Sequence, residues 1–322
     1  MREKNLSLEL IKFIAVITVA NHWMSPLYVK WGFLATGGAI GDVLFFFASG
    51  YTLFLGRFGR FDNWYKRRIK RIYPSVIAFA AILSCAGISE MTVKEIIMGG
   101  ALWFIACIMI YYVILYFVRK FAESKPLIPF VISSLIIVCW YLMEDSSKMF
   151  MYGGTYFKWG HYFLFMLLGA YLGNKTIELK SKPKRDSFML ILSIILFYGI
   201  QLLAGRFEIA AHLQIFSLLP LMGVVLSLYK LCCADQMNKM MRSKFGYCIR
   251  LVSGLCLEIY IVNSLVIQFM TGKLENVFPL NLIVTFVMIV TLAYLTRCLA
   301  RIFSQIFEKE DMDWKAVVMP VS

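Results

Sequence analysis

Leu6 to Trp23, LSLELIKFIAVITVANHW, reads as one apolar helix that carries a histidine within it. Taken as part of a span over about 8–28 and measured from Lys12 at about 1.5 Å per residue, it sets His22 roughly 15 Å in. That is close to the middle of a hydrocarbon core about 30 Å thick. A titratable ring at that depth is costly unless it faces a bundle interior or an aqueous cavity, so His22 is the first candidate functional residue. The plainer reading is a histidine that only hydrogen-bonds a neighbouring helix.

Apolar stretches of this kind recur along the chain. Of its 322 residues 60% are hydrophobic and 16% charged, against about 25% charged in an ordinary soluble domain. The composition excludes a soluble globular protein and predicts an all-α integral membrane protein, a bundle of about ten transmembrane helices forming one domain over 1–322 with no soluble appendage. The spans fall at about 8–28, 38–56, 72–89, 101–118, 127–143, 156–172, 187–204, 209–229, 251–271 and 279–298. The second begins in glycine-rich sequence containing Asp42, and the eighth follows a break with Arg206, Glu208 and His212. Pro126, Pro183 and Pro279 mark turns, and the pairs Gly37–Gly41 and Gly169–Gly173 place small residues where helices can approach closely.

Lys and Arg concentrate in cytoplasmic loops. With the N-terminus inside, 27 basic residues fall on the cytoplasmic side and 6 on the other, which accounts for all 33. The expectation is a multi-pass protein of the inner or plasma membrane with both termini cytoplasmic. The net charge of +14 is then mostly topology signal and contact with anionic membrane lipids, and no nucleic-acid partner is expected. The first apolar stretch lacks a small-residue cleavage site followed by a polar mature domain, so it reads as a permanent anchor. Eight scattered cysteines without a Cys-x-x-Cys indicate neither a disulfide framework nor a zinc site, and no metal is expected.

A second stretch, WYKRRIKRIYPS from Trp64 to Ser75, puts five basic residues among the six from Lys66 to Arg71 on the expected cytoplasmic side. At the entrance to a helix, where first-turn amides also favour anions, it makes a cradle for phosphates built from Arg68, Arg71, Arg67 and Lys70. Arg68 and Arg71, three apart, share a face on which two guanidinium forks can grip one polyphosphate. The alternative is a rich positive-inside loop that binds lipid headgroups. A ligand reaching both this cradle and a mid-depth His22 must be long, with a phosphate-rich head and a reactive end, as an acyl thioester of coenzyme A is.

These residues carry a family resemblance. LELIKFIAVITVANH ending in His22, LFFFASGYTLF at Leu44–Phe54, WYKRRIKRIYP, LWFI at Leu102–Ile105, YFLFMLLGAYLG at Tyr162–Gly173 and SGLCLEIYIVNSL at Ser253–Leu265 occur in order over nearly the whole chain. Together they resemble the acyltransferase-3 family of bacterial membrane enzymes that O-acylate surface sugars. The resemblance implies a ten-helix membrane domain, a donor such as acetyl-CoA entering from the cytoplasm as a substrate with no permanently bound cofactor, and a hydroxyl acceptor on a polysaccharide or its lipid-linked precursor. It implies that His22 is the essential first-helix histidine and that Arg68 and Arg71 are the paired arginines. Glu9 stands where the family usually has Asp, and Asn263 where the ninth helix commonly has His.

On this reading neutral His22 accepts the proton of an acceptor hydroxyl as it attacks the thioester. Thr18 and Ser25, at i−4 and i+3, sit on its face to orient it or bind substrate, and Asn263 orients or hydrogen-bonds. Asp42 or Glu258 supplies a carboxylate partner. Trp103 beside Phe104 lines the acyl path, while His161 and His212 fall near the outer face as interfacial residues. The competing functions are a transporter or exporter using the same polar groups, and a catalytically lapsed family member acting in polysaccharide assembly.

Overall fold

The computed structural model describes residues 5–100, 102–125, 127–144, 150–174, 181–273, 277–306 and 312–319. The turn marker Pro126 and the basic residues Arg2, Lys4, Lys148, Lys175, Lys180 and Lys309 lie outside the described residues. The helices are, in order, α1 (Leu6–Trp23), α2 (Gly38–Leu55), α3 (Phe61–Cys85), α4 (Val93–Ile97), α5 (Trp103–Ala122), α6 (Leu127–Met143), α7 (Lys158–Asn174), α8 (Pro183–Ala204), α9 (Glu208–Ala211), α10 (Leu218–Cys232), α11 (Asp235–Met241), α12 (Lys244–Gly254), α13 (Cys256–Met270), α14 (Leu280–Ile306) and α15 (Trp314–Val318), with no strand among the described residues.

Among the described residues six segments are long and apolar enough to cross a membrane: Leu6–Trp23, Gly32–Leu55, Trp103–Ala122, Pro183–Ala204, Gln214–Cys232 and Leu280–Ile306. Helices α12 and α13, bent by 71° at Leu255, add a seventh if the pair is one span. The protein is all-helical and multi-pass. Length and apolarity alone do not reach a count of about ten, because α6 and α7 have 17 residues each and the first half of α3 is basic.

The chain divides into two compact units. The first holds the residues up to Ala15, Ala39–Arg57 and Ile114–Gly246. Its α2 and α7 meet through glycine. A Cβ on Gly169 would lie 2.0 Å from the Phe47 carbonyl oxygen, one on Gly173 2.6 Å from that of Tyr51, and one on Gly50 1.9 Å from that of Met166. Without hydrophobic driving force between lipid-immersed helices, such backbone approach supplies the van der Waals contact that holds them. The Gly169–Gly173 pair therefore acts in packing. Elsewhere in this unit α8 packs on α10 and α6 on α7.

The second unit holds Val16–Gly38, Phe58–Val113 and Tyr247–Ser322. Here α3, α13 and α14 pack on one another, and Asn281 at the start of α14 donates from Nδ2 to the Leu27 carbonyl at 2.8 Å, buried from solvent. At 27 residues α14 is about 40 Å long. Near its end Arg301 donates to the carbonyls of Ala316 at 3.0 Å and Val317 at 3.2 Å and also bonds that of Met319, supplying partners to carbonyls at the C-terminal end of α15.

Candidate active site

The basic stretch is helical throughout. Because α3 begins at Phe61, Lys66–Arg71 lie one to three turns inside it, where backbone amides are already committed to i→i−4 bonds. The expected helix entrance at this point is corrected: any anion here is held by side chains, without help from first-turn amides. Trp64, Arg68 and Ser75 follow one another along one stripe of α3, since spacings of four and seven keep to one face. Trp64 and Ser75 are buried and Arg68 half-buried, whereas Lys66, Arg67, Lys70 and Arg71 are exposed. The Arg68 guanidinium carbon sits 4.8 Å from the Trp64 ring centroid and 6.0 Å from that of Tyr112, and these two rings meet edge-on at 6.2 Å. A guanidinium stacked in this way is fixed in direction.

Ser75 continues this stripe into a buried polar cluster. Its hydroxyl donates to Glu258 Oε1 at 2.7 Å, and Arg297 donates to the same carboxylate from Nε to Oε1 and from Nη2 to Oε2, both at 2.9 Å. Arg297 Nη2 also bonds the carbonyl of Gly254, the last residue of α12 before the bend. Both oxygens of Glu258 are thus occupied by Ser75 and Arg297, partners that spacing along the sequence did not indicate.

His22 is the last residue but one of α1 and is exposed. The expected continuous helix over 8–28 is corrected: the helix ends at Trp23, and Pro26 stands in a following 3-10 turn, Ser25–Tyr28. Proline removes an amide and restricts the residue before it, which stops the α-helix short. Ser25 therefore lies on that turn and does not share the α1 face with Thr18 and His22. The loop is drawn back by Asn21, which donates from Nδ2 to the carbonyls of Leu34 at 2.8 Å and Thr36 at 2.9 Å and bonds the Tyr28 hydroxyl through Oδ1.

Two glycines then make room for the site. Gly37, at φ +102°, lies against Thr18, and a Cβ on Gly38 would fall 2.6 Å from His22 Cδ2 and 2.8 Å from Cγ. Asn21, Gly38, Trp64, Ser75 and Arg297 are the residues sequence reasoning missed. The adjacent Gly37–Gly38 next to a histidine helix was the one available signal.

Asn263 is 3% exposed on α13, and its Oδ1 has no hydrogen-bond partner among the described residues. Trp103 is half-buried and meets Phe104 edge-on at 5.9 Å, and Phe104 meets Tyr260 at a tilt of 40° with ring centroids 4.8 Å apart. His22, Thr18, Arg68, Arg71, Trp103, Glu258 and Asn263 all belong to the second unit. Asp42 belongs to the first, where Tyr162 hydrogen-bonds it and the charge of Lys158 acts on it. His161, expected at the outer interface, is fully buried in the first unit. Its Nε2 lies 3.1 Å from the Met151 carbonyl, and the rings of Tyr152, Phe157 and Tyr162 surround it. Among the described residues no group of three or more His, Cys, Asp and Glu is placed to hold a metal ion.

No curated protein and no solved structure matches the chain. A family model described as an acyltransferase domain matches residues 5–298, a range that includes His22, the basic face of α3, Asn263 and both partners of the Glu258–Arg297 pair. On that match over nearly its whole length, the chain belongs to the acyltransferase-3 family of membrane acyltransferases.

Proposed function

We propose that the protein is an O-acyltransferase of the inner or plasma membrane, with both termini cytoplasmic, that moves an acyl group, in the first instance acetyl, from acyl-CoA to a hydroxyl of a cell-envelope polysaccharide or its lipid-linked precursor. The observation that carries this reading is the basic face of α3, where Arg68 is aimed by the Trp64 and Tyr112 rings and Arg71, Arg67 and Lys70 stand exposed beside it. Guanidinium forks suit the phosphates of coenzyme A.

His22 takes the proton of the acceptor hydroxyl as its oxygen attacks the thioester carbonyl. The carbon–sulfur bond breaks, an ester forms, and the departing thiolate of coenzyme A recovers the proton from the imidazolium. General-base assistance of this kind contributes about 10²- to 10⁴-fold. The exposure of His22 supports access by an acceptor that is itself a polymer. Thr18, packed against Gly37, orients this end of α1, and Asn263 offers a buried amide oxygen to an O–H or N–H of a substrate. Trp103, with Phe104, flanks the acyl path.

The broken pair α12–α13 favours a second reading, transport, because unwound backbone in transporters lines binding sites. Against it, the Gly254 carbonyl at the break is already bonded by Arg297. Replacing His22 with Ala separates the two. Loss of acyl groups from envelope glycans, read by mass spectrometry, with glycan export intact supports the enzyme; lost export with acylation unchanged overturns it in favour of transport.

A further inference from the structure

The donor reading of α3 leaves unexplained what holds the arginines in place. Pro74 lies inside α3, so the carbonyl of Lys70 lacks the intrahelical amide that residue 74 would otherwise supply, and the helix is weakest just past Arg71. Ser75 is the next residue. Its hydroxyl reaches 183 residues along the chain to Glu258 at 2.7 Å. At about 100° per residue it lies only about 20° around the helix from Arg68 and about 40° from Arg71.

Glu258 is in turn gripped by the Nε–Nη2 edge of the Arg297 guanidinium, and Arg297 satisfies the carbonyl that ends α12. Glu258 and Ser75 are 2% and 3% exposed, so water competes little for these bonds, and hydrogen bonds to a charged group in such surroundings are the strong ones. One guanidinium therefore ties the bend between α12 and α13 to α14, and through Glu258 to the weak point of α3.

We propose that Ser75, Glu258 and Arg297 form a positioning clamp for the acyl donor: they set the rotation and height at which α3 presents Arg68 and Arg71 to the phosphates of coenzyme A. This rests on the basic face being the donor site. None of the three touches the reacting atoms. Their loss weakens capture of the donor and leaves the chemical step at saturation alone.

Kinetics in membranes containing the full chain test this, with acetyl-CoA as varied donor and acyl transfer to envelope glycan as readout, alongside direct binding of coenzyme A to the purified protein. Ser75→Ala keeps the Glu258–Arg297 pair and the fold. It is expected to raise KM for acetyl-CoA about ten-fold, the scale of one hydrogen bond to a charged group, with kcat within two-fold of wild type. Ser75→Thr, which retains the hydroxyl, is expected to restore KM. Glu258→Gln shifts KM in the same direction and further.

An unchanged KM in Ser75→Ala, or a fall in kcat at unchanged KM, overturns the clamp while coenzyme A binding by the wild type still upholds the donor site. Absence of coenzyme A binding by the wild type overturns the donor site and the clamp with it.

Discussion

Gly38→Ala separates the position of His22 from the stability of the fold. Gly38 is the first residue of α2, and a Cβ built on it would stand 2.6 Å from His22 Cδ2 and 2.8 Å from Cγ. Ordinary carbon–carbon contact is about 3.5–4.0 Å, so the ring must retreat by about 1 Å. It can do so, because the obstacle is an exposed side chain near a helix end rather than backbone. Alanine in place of glycine in a helix is itself favourable by up to about 1 kcal/mol, so stability is expected to hold or rise. A displacement of about 1 Å in a catalytic group costs up to about 10²-fold in rate. The expectation is therefore acyl transfer reduced about 10- to 100-fold in a protein that melts at or above the wild-type temperature. Glycan acylation by mass spectrometry and thermal unfolding of the detergent-solubilised protein read the two quantities. Wild-type acylation in a stable Gly38→Ala protein would refute the reasoning that ties activity to where this imidazole sits.

Gly169→Ala should behave oppositely, since its Cβ would meet the Phe47 carbonyl oxygen at 2.0 Å and neither backbone can step aside. It is expected to destabilise by about 1–3 kcal/mol or more, seen as a lower melting temperature and reduced yield; unchanged melting would show that α2 and α7 do not pack as described. Asn263→Leu removes a buried amide oxygen that lacks a partner among the described residues, which costs about 1–3 kcal/mol where it is left unpaired. It should hold or raise the melting temperature while lowering acyl transfer about ten-fold, and full activity would remove Asn263 from the substrate contacts. Arg68→Lys keeps the charge but loses the planar stack on Trp64, worth about 0.5–1 kcal/mol; KM for acetyl-CoA should rise a few-fold, and an unchanged KM would detach Arg68 from donor binding.

The class of this protein follows from composition, because bilayer depth demands long apolar helices whatever their partners. The family likewise follows from short local motifs in order, and the strongly basic character of Lys66–Arg71 from side chains adjacent in the chain. What escaped the sequence depends on where helices stop and on pairs distant in the chain. The end of α1 at Trp23 put His22 near a helix end rather than inside a span running to residue 28, and an early start for α3 at Phe61 moved the basic residues inside the helix. Termini are set by tertiary competition for a few backbone bonds, which periodicity does not resolve.

Glu258 makes the distinction clearest. As a carboxylate in an apolar helix it was legible as costly, and therefore as a candidate, from its sequence position alone. That it is satisfied by Ser75, 183 residues away, and by Arg297, 39 residues away, was decided only by the packing of α3, α13 and α14, since no local pattern encodes which buried charges will meet.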